Sequence, residues 1–471
     1  MKLKETFKTI LLTGLVISTL VLSSKIWFSE ELWPEGYNSF LSTFFSFFGE
    51  NNADSLDLAQ VYYPKQILIL KNDRSSVIST THDKYEELNN LIKEHLKSAI
   101  IDGEITDSND EEYKKACKKD SLFIGLYSFT SFEMLADSYN VPKKDALYDI
   151  NHVKNILLSP NEDYKAYSLF VKNNKTGRVF KILVKKDITS LSNLTDIVLN
   201  KIPEGTVAAS FAFENNFDKK NENETEKILL DSYMLINLSG LLVPDISSVN
   251  FMDFSNDDFE KIAGYFNVNK NTARRFTDTN NTVNLVENFG TLKFHTDGLL
   301  EYISMDSGIN MEGDISSDYD AVKLAGEFTE GINNLFSLPE NNSYVFAGVS
   351  EDSNRVYTVS FDILYKGVPV VLSRMLSGKE TMSHPIEIKI QNGKIISYRQ
   401  LFCGFKKTGV ESSVPDMISV LDKFYTVYDI KNNPDVIIED IYSVYNYDIK
   451  NNKATTGNAV LLSDGKVVMV K

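Results

Sequence analysis

The sequence predicts an α+β protein in which a single N-terminal transmembrane helix precedes a three-domain extracytoplasmic region of antiparallel sheets with packed helices. Three observations lead to this prediction. Residues 9–24 carry no charge and are mostly Ile, Leu and Val. Runs of alternating apolar and polar residues, typical of half-buried strands, recur through the rest of the chain. Amphipathic stretches between these runs predict helices that cover the sheets.

The first predicted element is a membrane-spanning helix over residues 9–28. At about 1.5 Å of rise per residue, about 20 residues cross a hydrocarbon core of roughly 30 Å. Lysines precede the span and glutamates follow it. Lys-rich segments that flank a transmembrane helix stay on the cytoplasmic side of the membrane. Residues 1–8 are therefore expected in the cytoplasm, and the bulk of the chain is expected outside the cell membrane. A cleaved signal peptide is the alternative, but residues 21–24 match a cleavage site poorly, so an uncleaved signal-anchor is favoured.

Small and hydroxyl-bearing residues are frequent in this span. Gly14 and Ser18 form a small-xxx-small pair on one face, and Thr9, Thr13 and Ser24 gather on another. Such residues let transmembrane helices approach closely and hydrogen-bond. These five residues are therefore the candidate contacts with other transmembrane helices, and chance occurrence in a single-pass anchor is the alternative.

Residues 29–59 are predicted to be a juxtamembrane segment. Its phenylalanines recur at helical spacing between positions 37 and 48, so it either lies on the membrane surface or packs on the first domain.

An N-terminal ectodomain is predicted over residues 60–203. Its expected helices cover 83–100, 109–119, 131–139 and 191–201, and its expected strands cover 66–70, 76–80, 121–128, 155–158, 164–173 and 178–185.

A middle domain is predicted over residues 204–313 and a C-terminal α+β domain over residues 314–471. Lys366-Gly367 and Asn392-Gly393 predict two-residue hairpin turns in the latter. The middle domain is expected to hold a polar loop at 214–226, strand-like or short helical pieces at 229–238 and 241–243, a helix at 256–266, and strands at 282–287, 290–295 and 300–305. The C-terminal domain is expected to hold helices at 318–336 and 414–427 and strands at 344–350, 355–365, 368–372, 385–391, 394–400, 436–447 and 460–470.

Composition and motifs restrict the classes of function that the chain can have. The chain has 471 residues and a net charge of −16, which argues against nucleic acid as a partner. Cys117 and Cys403 fit no metal or redox spacing. They are predicted to be separate thiols, with a bridge between them as the alternative. Catalytic and nucleotide-binding motifs are missing from the sequence, including H-E-x-x-H, Walker A, G-x-S-x-G and the dinucleotide fingerprint. We therefore expect no enzyme activity, no metal and no cofactor.

Three stretches of the sequence carry a resemblance to a known family. The first is the N-terminal E-T-F-K-T followed by the apolar run up to Trp27. The second joins residues 265–276 to the motif H-T-D-G-L-L-E-Y at 295–302. The third joins residues 357–370 to I-E-I-K-I-Q-N-G-K-I-I-S-Y-R at 386–399. In this order they resemble the YycH family, and the third is also similar to YycI proteins, so the C-terminal domain is expected to be YycI-like.

The YycH family comprises membrane-anchored accessory proteins of the WalK–WalR (YycG–YycF) two-component system. The resemblance implies a non-enzymatic regulator that modulates a WalK-type sensor histidine kinase together with a YycI-like protein. Transmembrane helix and ectodomain contacts would carry this signal transduction, and the expected setting is cell wall homeostasis. The sequence leaves open a different function, an extracytoplasmic module that binds a ligand of the cell envelope.

Overall fold

The computed structural model describes residues 60–71, 74–80, 82–161, 165–185, 207–219, 229–236, 242–249, 255–269, 271–305, 308–311, 314–335, 342–372, 382–413, 417–429, 433, 436–449, 451–463 and 465–470. Within these ranges, every helix is too short or too polar to span a bilayer. The predicted membrane span at 9–28, the juxtamembrane segment at 29–59 and the predicted helix at 191–201 lie outside the described residues.

The first part of the described chain forms a nine-stranded antiparallel sheet in the order β10-β8-β2-β1-β4-β5-β6-β7-β3. Its strands are β1 (Pro64–Lys71), β2 (Arg74–Ser79), β3 (Glu104–Ser108), β4 (Ser121–Thr130), β5 (Val153–Pro160), β6 (Tyr167–Asn173), β7 (Val179–Val184), β8 (Val207–Phe211) and β10 (Leu235–Ile236), while β9 (Leu229–Leu230) joins the second sheet. Apolar residues on both faces of β4 and β5 are buried, as expected for central strands covered on two sides.

Among the described residues, three helices cover this sheet: α1 (Tyr85–Asp102), α2 (Asp110–Cys117) and α3 (Phe132–Ser138). The apolar residues of α1 recur at helical spacing, and Leu88, Ile92 and Leu96 are buried. Tyr113 of α2 stacks on Phe170 of β6 in a separate buried cluster. The sheet is therefore packed on both faces.

The second part forms a fourteen-stranded sheet, and β11 with β22 forms a separate two-stranded ribbon. The remaining strands are β11 (Leu242–Val249), β12 (Arg274–Thr277), β13 (Val283–Val286), β14 (Gly290–Phe294), β15 (Leu299–Ser304), β16 (Ile309–Asn310), β17 (Asn342–Glu351), β18 (Val356–Tyr365), β19 (Val368–Leu372), β20 (Ile386–Gln391), β21 (Lys394–Leu401), β22 (Gly404–Ser413), β23 (Ile437–Asp448), β24 (Lys453–Leu462) and β25 (Val467–Val470). Pairing is antiparallel except where β23 runs parallel to β19 and β9.

Helices α4 (Asn256–Tyr265), α5 (Asp318–Asn333) and α6 (Met417–Val427) accompany these strands. The Ser317 hydroxyl accepts a hydrogen bond from the Asp320 N–H and caps α5. One face of α5 is buried, through Ala321, Val322, Ala325, Phe328 and Ile332. Phe328 packs edge-to-face on Tyr398 of β21 at 5.3 Å between ring centroids.

The mixed α+β class is confirmed, and one buried apolar cluster continues through both sheets. Strands from the predicted middle and C-terminal domains join one sheet through the pairing of β15 with β21. The division into three domains stays a prediction. Cys117 and Cys403 are both buried and carry free thiols.

A group of polar residues, here called the polar seam, joins the two sheets. Lys65 of β1 forms an ion pair with Asp440 of β23. Lys172 of β6 lies 3.4 Å from Asp231, which follows β9. Burial lowers the pKa of Lys154 to about 8. Burial, with repulsion from Asp231, raises the pKa of Glu439 to about 7. The polar seam comprises Lys65, Lys154, Lys172, Asp231, Glu439 and Asp440.

Several predicted elements differ from the structure. The strand predicted at 460–470 is two strands, β24 and β25, and Gly465 between them has φ 81°. The short piece predicted at 241–243 is part of the longer β11. β3 and β12 were not predicted, because they are largely exposed edge strands with little apolar alternation. The Lys366-Gly367 and Asn392-Gly393 turns are confirmed, with positive φ at all four residues.

Candidate functional site

The five predicted helix-contact residues lie outside the described residues, so they stay a prediction: Thr9, Thr13, Gly14, Ser18 and Ser24. The candidate site within the described chain is one face of the fourteen-stranded sheet. Phe266 at the end of α4 contacts the rings of Tyr302 and Tyr398 on the opposite face, at 5.1 and 5.6 Å between centroids. Because successive strand residues point to opposite faces, Glu301 and Arg399 project away from the helices.

The strand register places a row of polar side chains across this face. Glu301 of β15 pairs with Lys293 of β14 on one side and with Arg399 of β21 on the other. Arg399 in turn pairs with Glu387 of β20. We call Lys293, Glu301, Arg399 and Glu387 the charged row. The sheet face that carries the charged row is called the charged sheet face.

The side chains of the charged row contact one another directly. Arg399 Nε donates to Glu301 Oε1 at 3.1 Å, and Arg399 Nη1 lies 3.5 Å from Glu387 Oε2. The side chains of Arg399 and Glu301 are only 13% and 14% exposed. One guanidinium therefore neutralises two partly buried carboxylates, which is the planar fork geometry that suits arginine.

His295 extends the charged row at the β14–β15 turn. Its Nε2 lies 2.8 Å from Glu301 Oε2. Burial alone would raise the pKa of Glu301, but hydrogen bonding and charge from His295, with Lys293 and Arg399 nearby, lower it below the usual value. The Glu301 carboxylate is therefore ionised at neutral pH and is held by its neighbours.

A second chain of hydrogen bonds runs from the charged row towards the nine-stranded sheet. Glu387 Oε1 accepts from the N–H groups of Ser383 and His384 at 2.9 and 3.2 Å. His384 Nδ1 lies 2.8 Å from Asp362 Oδ1, and Asp362 Oδ2 accepts from the Tyr127 hydroxyl of β4 at 2.8 Å. Burial opposes the protonation of His384, but Asp362 outweighs it and raises the His384 pKa.

These groups form a preorganised polar surface. The carboxylates of Glu301 and Glu387 are each already engaged by Arg399. Among the described residues, no three His, Cys, Asp or Glu side chains are grouped as metal ligands. A shallow surface cleft lies elsewhere, between Asp102 and Lys185, where Lys185 pairs with Glu104 at 2.9 Å. The polar groups of the charged sheet face hold one another in place.

Exposed apolar side chains lie beside the charged row, on β12, β15 and the adjoining turns. Phe276, Phe289, Ile303 and Met305 are 43%, 62%, 45% and 63% exposed. Met305 and Phe289 are neighbours, because the Met305 N–H donates to the Phe289 carbonyl at 2.9 Å. Grouped exposed apolar residues are uncommon on a protein surface and often mark interaction sites.

The charged row was not predicted, although three of its four residues come from the stretches that carry the family resemblance. Glu301 lies in the motif at 295–302, and Glu387 and Arg399 lie in the motif at 386–399. The sequence signal was the alternation of charged and apolar residues in these strands. That signal showed that the charges share a face in each strand, but not that the strands are neighbours.

Comparison with known proteins supports the fold. No protein-family model and no curated protein sequence matches this chain. The crystal structure of YycH from Bacillus subtilis matches with a TM-score of 0.59 and 12% sequence identity, over 90% of this chain and 99% of that chain. At this identity the match concerns the fold, and we conclude that this chain has a fold similar to that of YycH.

Proposed function

We propose that the chain is a non-enzymatic, membrane-anchored regulator of the YycH family. It modulates a WalK-type sensor histidine kinase together with a YycI-like protein, through transmembrane helix and ectodomain contacts. Its N-terminus is cytoplasmic and its C-terminal bulk is extracellular. The observation that carries this proposal is the YycH-like fold, which extends over 90% of the chain.

Two features of this chain support the proposal. The uncharged, mostly apolar run in residues 9–24 is typical of a membrane anchor. The charged sheet face holds a preorganised polar row beside exposed apolar side chains. A regulator shifts a kinase between signalling states only if it binds those states unequally. A coupling free energy of about 1–3 kcal/mol gives a change of about fivefold or more.

The test replaces residues 9–28 of the full-length chain with an unrelated apolar helix of the same length. Kinase-dependent reporter expression and co-purification of the kinase and the YycI-like protein from membranes are measured. We expect both regulation and co-purification to be lost while the amount of folded ectodomain is unchanged. Regulation that survives the replacement would favour a ligand-binding module that works through its ectodomain.

A finer test separates the two faces of the anchor. Gly14→Leu with Ser18→Leu removes the small-residue pair but keeps the span apolar. The matched control is Val16→Ile with Leu20→Ile, on the other side of the helix. We expect the first pair, and not the control, to weaken co-purification. If both pairs of substitutions change co-purification equally, the Gly14 face of the helix does not contact a partner helix.

A further inference from the structure

Strand β12 is the terminal strand of the fourteen-stranded sheet as described. It pairs with β13 through Arg274 to Thr277, and all four of its residues are exposed. A terminal strand presents unpaired backbone N–H and C=O groups on its outer side, and these can pair with another chain. This edge is the feature from which the inference starts.

The side chains of β12 give this edge a definite chemistry. Arg274 and Phe276 share one face of the strand, and the Arg274 guanidinium lies 5.8 Å from the centre of the Phe276 ring. Arg275 is on the other face, 4.7 Å from the centre of the Phe259 ring, and donates to Asn256 Oδ1 at 3.0 Å. Arg274 has no ion-pair partner among the described residues.

The charge of the edge is opposite to that of the protein. The whole chain has a net charge of −16, yet β12 carries two arginines and no acidic residue. The flanking carboxylates are already hydrogen-bonded locally. Asp278 accepts from the N–H groups of Asn280 and Thr282, and Glu287 accepts from the Thr272 hydroxyl.

We propose that β12 is a docking edge for an extended acidic segment of a partner protein, which pairs with β12 as an additional antiparallel strand. Directly opposite residues then face each other across the new pair. An apolar residue of the partner lies opposite Phe276, and two consecutive acidic residues lie opposite Arg275 and Arg274. This inference does not depend on the proposed regulation of a kinase.

A second copy of this chain is a poor occupant of the same edge. When two antiparallel β12 strands pair through all four residues, Arg274 lies opposite Thr277 and Arg275 lies opposite Phe276. A second β12 therefore offers no carboxylate to either arginine. An acidic segment does offer one, so the arginines favour an acidic partner.

The test uses the purified full-length chain and two synthetic peptides, TVTVEEVT and TVTVKKVT. Binding and hydrogen exchange of the β12 amides are measured at low and high salt. We expect the acidic peptide to protect the amides of Arg274 to Thr277 and to bind more weakly as salt is raised. The basic peptide is expected to give no protection there. Equal binding of both peptides, no binding, or protection elsewhere overturns the proposal.

Two variants complete the test. Arg274→Glu is expected to weaken binding of the acidic peptide about tenfold, because an attractive pair becomes a repulsive one. The matched control is Lys389→Glu, an exposed residue of β20 away from the edge, and it should leave binding unchanged. Circular dichroism and thermal unfolding verify that both variants are folded. If Arg274→Glu instead leaves peptide binding unchanged, β12 is not the docking edge proposed here.

Discussion

Arg399 is the residue on which the charged row depends. It lies between Glu301 and Glu387, and its side chain is 13% exposed. Removing one member of a poorly solvated ion pair is costly because the remaining charge keeps its desolvation penalty without its partner. In this row the removal of a single guanidinium takes the arginine partner from two carboxylates at once, and Glu301 keeps His295 while Glu387 keeps two backbone N–H groups.

We therefore expect Arg399→Met to lower the free energy of unfolding by about 2–3 kcal/mol. Chemical denaturation measured by circular dichroism gives this value. The control is Lys389→Gln, an exposed residue on the same face, which should change stability by less than about 0.5 kcal/mol. If the two variants are equally stable, the charged row contributes little to folding and its role is recognition alone.

At the scale of elements, the packing of α4 on α5 depends on a glycine. A Cβ on Gly331 of α5 would overlap the hydroxyl and ring of Tyr265 in α4. The Tyr265 hydroxyl donates to the Phe328 carbonyl of α5 at 3.1 Å. Gly331 is therefore needed for close approach, and its lower helix propensity is outweighed by this contact.

This contact predicts opposite effects for two Gly→Ala substitutions in neighbouring helices. Gly331→Ala is expected to destabilise the protein by about 1–3 kcal/mol, because Tyr265 must move. Gly264→Ala in α4 meets no atom within 4 Å, so it should stabilise by about 0.5 kcal/mol through helix propensity. Unfolding free energies of the two variants measure the difference. A stabilising Gly331→Ala would show that α4 and α5 are farther apart.

At the scale of the whole molecule, the polar seam makes the packing of the two sheets depend on pH. The pKa of Glu439 is raised to about 7 by burial first and then by Asp231, while Lys154 and Lys172 oppose the shift. Between the ordinary carboxyl pKa of 4.5 and this value, the folded state holds a proton that the unfolded state has lost. Stability from this group therefore falls as pH rises through that window.

We compare the thermal unfolding midpoints of Glu439→Gln and the natural chain. The midpoint of the variant relative to that of the natural chain is expected to increase as pH rises from about 4.5 to about 7. The pKa of Lys154, about 8, lies above this window, so Lys154 stays protonated across it. The control is Asp422→Asn, an exposed carboxylate on α6, for which the difference should not change with pH. If the difference in unfolding midpoint between Glu439→Gln and the natural chain also stays constant with pH, Glu439 is solvated in the folded state.

The polar seam also shows why the full arrangement of the strands could not be predicted from the sequence. Lys65 and Asp440 are 375 positions apart in the chain, and no local pattern links them. Pairing of β15 with β21, which assembles the charged row, likewise joins segments far apart in sequence. The order of strands in a large sheet depends on the combined packing of many segments, and a single sequence shows only the alternation within each one.

Local elements were predictable from the sequence because their causes are local. Helices α1 and α5 follow from apolar residues at helical spacing. The Asn392-Gly393 turn follows from two residues that accept positive φ. The edge strand β12 and the ion pairs of Arg399 were decided only by tertiary structure. An exposed strand carries no apolar alternation, and charges become partners only when the fold brings their strands together.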